Sequence, residues 1–156
     1  MQYIKKLQVK LVKSKYKNVL KGQIKNPQHL YDIFKDIKDN AQETLIGVYL
    51  DDKLQTIAYN ILSMGTQSTT IVEPREIFGY GFVIMAKKMI LIHNHPKGDP
   101  SPSEEDKEVI RELLKSSKIM KMPMLDFVIV GDINSRKKKN YWSLFENIKG
   151  EEYSVD

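Results

Sequence analysis

The sequence contains no cysteine. Disulfides, thiolate metal sites and cysteine nucleophiles are therefore excluded, and nothing points to an oxidising compartment. A long apolar run is also lacking. The opening "MQYIKKLQVKLVK" breaks its apolar residues with lysine every two or three positions, so it offers neither a signal-peptide core nor a membrane span. The sequence thus predicts a cytoplasmic protein with no membrane partner. Acid is missing from residues 1–31, which hold eight lysines; with a formal net charge of +5, the rest of the chain nets −3. The basic character is local. Such an arm can attract nucleic acid or acidic protein surfaces, and lysine on an exposed strand edge also guards against aggregation.

What is present fits one domain. A chain of 156 residues, 41% of them hydrophobic, can bury a core without covalent staples. In "KLQVKL" (6–11), Leu7, Val9 and Leu11 alternate with polar residues, which predicts an edge strand. "NPQHLYDIFKDIKDN" (26–40) predicts an amphipathic helix, with Asn26 as N-cap, Pro27 at the first helical position and Leu30, Ile33, Phe34 and Ile37 on one stripe. His29 is expected at its surface. "ETLIGVYL" (43–50) and "LQTIAYNIL" (54–62) form a predicted hairpin. A short strand is expected at Thr69–Val72, and a helix from Pro74 to about Lys88 despite Gly79 and Gly81. "MILI" (89–92) and "LDFVIV" (125–130) read as buried strands, separated by a helix over 103–118 carrying Val109, Ile110, Leu113 and Leu114. A charged loop (134–140) and a strand in "YWSLF" (141–145) follow. Alternation of helices with buried strands predicts an α/β (α+β) fold with a single mixed sheet flanked by helices.

The chemistry concentrates in "LIHNHPKGDPSPSEED" (91–106). His93 and His95, two residues apart at the end of a strand, project to one side of the chain, a natural pair of zinc ligands. "SEED" has the S-x-x-D form of a capping box, with Ser103 as cap and Asp106 as the return contact. Asp106 also heads the stripe of Val109 and Leu113, where a carboxylate needs a compensating partner. A metal held by His93, His95 and Asp106 would be one. It would leave a fourth position open, as catalytic zinc sites do. Hydrolysis then needs a proton carrier, and spacing leaves Glu43, Glu73, Glu76, Glu104 and Glu105 all open. Glu43 draws interest as an acid opening an apolar strand. Amidohydrolase-like barrels are excluded by length and zinc nucleoside deaminases by the missing cysteines. The contiguous letters "HNH" do not reproduce the dispersed residues of HNH nucleases.

An upstream glutamate, then H-x-H, ten residues, and an aspartate preceded by S-x-x make a specific composite, present here as Glu43 and "HNHPKGDPSPSEED". On these residues, with "PREIF" (74–78), "MAKKMILIHNHPKGDPSPSEED" and "MLDFVIVGD" (124–132), the chain resembles the JAMM (MPN, or JAB) metalloprotease family, and within it the bacterial RadC-like branch. The resemblance covers roughly residues 41–145. It implies a cytidine-deaminase-like fold, zinc bound by His93, His95 and Asp106, Glu43 as general base toward a zinc-activated water, and Ser103 as a stabiliser of the oxyanion. It also implies a protein or peptide substrate cleaved at a peptide or isopeptide bond, often beside a ubiquitin-like modifier. Residues 1–40 are expected as a basic strand and helix of the same globular unit, 41–145 as the JAMM/MPN domain and 146–156 as a tail. Lys97 stands where a small residue is usual, and Phe127 where RadC-like chains commonly carry histidine. Longer RadC proteins begin with a helix-hairpin-helix region, which residues 1–40 do not resemble. The DNA-repair association of that branch leaves nucleic acid, bound through the lysine-rich segment, as the alternative partner. No pattern sets the oligomeric state.

Overall fold

The structure, a computed structural model, describes residues 6–14, 23–65, 73–133 and 139–148. Asn26 caps the first helix, its Oδ1 accepting the His29 N–H at 2.8 Å, and Pro27 opens it, so two features that fix a helix start act together. This helix, α1 (Pro27–Phe34), tightens into a 3₁₀ segment (Lys35–Asp39). The whole predicted stripe, Leu30, Ile33, Phe34 and Ile37, is buried. The hairpin β1 (Glu43–Leu50) and β2 (Thr56–Gly65) follows. Its turn is held by Asp51, whose Oδ1 accepts the N–H groups of Lys53 and Gln55 at 2.8 and 2.9 Å.

The remaining elements are α2 (Pro74–Val83), β3 (Lys88–Asn94), α3 (Glu104–Met120), β4 (Met124–Val130), β5 (Tyr141–Ser143) and the short α4 (Leu144–Asn147). The strands form one sheet in the order β2-β1-β3-β4-β5. Only β3 and β4 run parallel; the other neighbours are antiparallel. The mixed α/β expectation therefore holds. Strand alternation divides the core in two. Ile46, Val48, Leu50, Ile90, Ile92, Val128 and Val130 pack against α1. Leu45, Tyr49, Met89, Leu91, Phe127 and Ile129 face the other way, with residues of α2 and α3. On β3 the second set continues to His93, which fixes the side of the sheet on which the histidines lie.

Three expectations need correction. Residues 6–11 form no strand: residues 6–14 have no regular secondary structure, and Leu7, Val9, Leu11 and Val12 are exposed. Alternation gives a segment two faces, but a strand also needs a ladder partner, and the bridge to the hairpin is made later, by Gln23 to Gln55. The helix from Pro74 stops at Val83 rather than near Lys88, because Met85 turns into the left-handed region (φ 58°) and the chain reverses into β3. Gly81 in this helix answers to packing: a Cβ there would lie 2.6 Å from the Met122 sulfur. Finally, "YWSLF" is strand only through Ser143, whose side chain accepts the Glu146 N–H and starts α4. The expected strand at Thr69–Val72, most of the 134–140 loop and residues 149–156 lie outside the described residues.

The last elements are joined by a buried carboxylate. Asp126, 4% exposed, accepts hydrogen bonds from the amides of Phe127 and Phe145 and from the Ser143 hydroxyl, at 2.8, 2.9 and 2.8 Å. Burial pushes its pKa up to about 6, and these donors only partly oppose that. A folded-state pKa above the unfolded value means the folded chain binds the proton more tightly, so this group's contribution to stability falls as pH rises from about 4 to 6. The cost above that window is on the order of 3 kcal/mol. Asp126→Asn retains an acceptor oxygen and removes the charge. The urea midpoint of the variant minus that of the wild type is expected to rise between pH 4 and 6.5; a difference flat with pH would refute the assignment.

Candidate metal centre

β3 carries His93 into the layer between the sheet and α3, and the chain continues through His95, whose N–H donates to the Val130 carbonyl at 3.1 Å. Gly98 (φ 87°) then turns the loop back, and its carbonyl accepts the Asp132 N–H at 2.7 Å. The loop reaches Ser103, the N-cap of α3. Its Oγ accepts the Asp106 N–H at 3.1 Å, and its own N–H donates to Asp106 Oδ2 at 2.8 Å. The predicted capping box is therefore formed, and it fixes the Asp106 side chain on the histidines. His95 Nε2 lies 3.1 Å from Asp106 Oδ2 and His93 Nε2 3.7 Å from Oδ1. One ligand atom from each of the three residues falls within 4.8 Å of the others.

The outer contacts decide which ring nitrogens face inward. His93 Nδ1 lies 3.3 Å from the Thr44 carbonyl and His95 Nδ1 2.7 Å from the Asp99 carbonyl. A carbonyl only accepts, so each Nδ1 carries a proton and each Nε2 is left facing Asp106. Two imidazole nitrogens and a carboxylate oxygen are a donor set suited to zinc. The residues therefore fit such an ion.

The charges agree. Burial pushes the Asp106 carboxyl up, but hydrogen bonds from His95 and from the Ser103 hydroxyl and amide outweigh it and hold the pKa down at about 2. For His93 burial prevails over the attraction of Asp106, and its pKa is lowered, favouring the neutral ring that a metal needs. For His95 burial acts in the same direction, but bonding to Asp106 and to the Asp99 carbonyl reverses it, and the pKa is raised. Without a metal, the Asp106 charge is met by the proton it favours on His95; a metal ion would take the place of that proton.

Of the five glutamates left open by sequence, one lies on the strand beside β3. Leu45 of β1 pairs with His93, so continuing this antiparallel register by two residues brings Glu43 opposite His95. Glu43 shares the sheet face of Leu45 and Tyr49, is half-buried, and its charge raises the pKa of both histidines. Glu73, Glu76, Glu104 and Glu105 are exposed. Glu104 instead pairs with Lys107 at 3.0 Å. Ser103 Oγ donates to Asp106 Oδ2 at 2.7 Å, so its proton is used within the capping box. Lys97 is exposed, whereas Phe127 is buried with its ring 6.4 Å from that of His93. Sequence reasoning does not find Thr44, Asn94 or Asp99, which hold the site through backbone groups or a buried amide. His29 is half-buried rather than a surface residue. Of the basic arm, Lys6, Lys10, Lys13 and Lys25 are described and exposed.

A mixed sheet between helices with a His-x-His and Asp cluster defines the class. The RadC-like JAB domain matches residues 24–149 of the chain, and the chain belongs to that family. Among its relatives, the UPF0758 protein of Methanosarcina mazei is 35% identical over 113 residues, covering 72% of this chain and 49% of that protein. The UPF0758 protein of Syntrophomonas wolfei is 39% identical over 116 residues, covering 71% and 49%. The chain thus spans about half the length of these relatives. Its family match begins at residue 24, so it takes in α1. Among the described residues no helix is long and apolar enough to cross a membrane.

Proposed function

We propose that the chain is a zinc-dependent hydrolase that cleaves a peptide or isopeptide bond in a protein or peptide substrate, including conjugates of ubiquitin-like modifiers. The observation that carries this reading is the inward set of three ligand atoms within 4.8 Å, with both outer ring nitrogens engaged by carbonyls. His93, His95 and Asp106 would hold the ion. When bound, zinc polarises a carbonyl and lets water ionise near neutral pH. Glu43 takes the proton from the attacking water and returns it to the amine nitrogen as the carbon–nitrogen bond breaks. Ser103 keeps Asp106 in place; to donate to a developing oxyanion its hydroxyl must turn away from that carboxylate.

Metal analysis tests the reading directly. Wild-type protein prepared without chelator is expected to carry stoichiometric zinc after gel filtration, and His95→Ala to carry almost none while keeping its circular dichroism. A wild-type chain that takes up no zinc from micromolar solution would overturn the proposal.

A further inference from the structure

We infer that the buried side-chain amide of Asn94 is the clamp that positions Glu43 over the candidate metal centre. The inference rests on the reading of Glu43 as the proton carrier. Asn94 is fully buried and lies on the sheet face opposite the histidines, so it is not a ligand. Its Oδ1 accepts the Thr44 N–H at 2.7 Å, and its Nδ2 donates to the Gln42 carbonyl at 3.4 Å. These are the backbone groups on either side of Glu43. The β1–β3 ladder ends at the pair Leu45 and His93; beyond it, the polar groups of residues 42 and 44 that face β3 find the Asn94 amide in place of backbone. His93 adds a third tie from its Nδ1 to the Thr44 carbonyl.

The consequence is geometric. Glu43 is the first residue of β1 and is in register with Gly65 of β2 on one side, but on the β3 side the backbone ladder has already ended at Leu45, and that side of the strand end would ordinarily fray. One rigid amide that bonds the carbonyl before it and the N–H after it fixes the φ and ψ of Glu43 itself, and so the direction of its Cβ. An aspartate in place of Asn94 would repel the Gln42 carbonyl, and an apolar residue would leave the Thr44 N–H buried without a partner. A carboxamide offers a donor and an acceptor at fixed separation. The clamp and the ligand are neighbours in sequence, so β3 sets His93 from one face and Glu43 from the other.

The test compares Asn94→Ala and Asn94→Asp with Glu43→Gln and with the Asn94→Ala/Glu43→Gln double variant, all in the full chain. Because Asn94 is not a ligand, zinc affinity is expected to change less than the roughly tenfold or more that an outer partner of a ligand costs. The Glu43 side chain, read by NMR couplings of its methylene protons, is expected to hold one rotamer in the wild type and to average in Asn94→Ala. With cobalt in place of zinc, Asn94→Ala is expected to reproduce the change in visible absorption caused by Glu43→Gln, and the double variant to add nothing further. Asn94→Asp keeps the acceptor for Thr44 and should give an intermediate result; it serves as the folded variant if Asn94→Ala does not fold. A single Glu43 rotamer in a folded Asn94 variant, or additive spectral changes, would overturn the clamp. If the wild type binds neither metal, the hydrolase reading falls, while the rotamer measurement on the metal-free chain still decides whether Asn94 positions Glu43.

Discussion

Glu43→Gln is expected to keep stoichiometric zinc and to lose hydrolysis by a factor of roughly 10²–10⁴, the usual range for removing a positioned acid–base group. Glutamine matches the shape of glutamate but cannot accept and return a proton. The site therefore stays assembled while its proton carrier is lost. The expectation follows from register: with Leu45 opposite His93, Glu43 faces the cluster, and its charge acts on both histidines. The matched control is Glu105→Gln, an exposed position in the first turn of α3, which should leave turnover within about twofold, as surface substitutions usually do. Initial rates on a panel of fluorogenic peptide and isopeptide-linked substrates that the wild type cleaves provide the measurement. Zinc retained with unchanged kcat in Glu43→Gln would place the proton carrier elsewhere.

Spacing alone leaves that glutamate among five, and only the family resemblance singles it out, which shows where local patterns stop. The histidine pair is readable because alternation along a buried strand puts residues two apart on one face, and Met89 and Leu91 show which face is the core. The capping box is readable because it is local: Ser103 and Asp106 are one helical turn apart. Glu43 lies 50 residues upstream of His93, and its approach depends on how β1 registers with β3, which no short window contains. Asn94 is hidden for the same reason, since its partners at residues 42 and 44 belong to that neighbouring strand. The 6–11 segment fails in the opposite way. Its alternation is genuine, but pairing is a property of two segments, and the edge of the hairpin is met by Gln23 instead. Gly81 lowers helix propensity, yet it sits inside α2 because Met122 occupies the space of a side chain, a tertiary demand that overrides local preference.

Asp106→Asn separates the two roles of the residue at which the cap and the cluster meet. Asparagine retains an oxygen for the Ser103 N–H, so the helix start should survive. It removes the anionic ligand, and zinc affinity should fall by at least about 100-fold, because even partners one bond removed from the metal are worth roughly 10–100-fold. Ser103→Ala should show the reverse weighting: a cap loss of about 1 kcal/mol with a smaller decrease in affinity, since it removes a donor to Asp106 rather than the ligand. Proton linkage supplies a metal-free check. The folded-state pKa of Asp106 is depressed to about 2, so its stabilising contribution is fully present above the unfolded carboxyl value near 3.8 and is lost as pH falls toward 2. That contribution is on the order of 2 kcal/mol. In zinc-free protein, the wild type should exceed Asp106→Asn in urea midpoint at pH 5 and lose the advantage progressively below pH 4, where the protonated acid and the amide become electrostatically alike. Zinc affinities by competition titration, with urea midpoints between pH 2.5 and 5, give both readings. An Asp106→Asn protein that binds zinc as tightly as the wild type would remove Asp106 from the ligand set and leave it a helix cap.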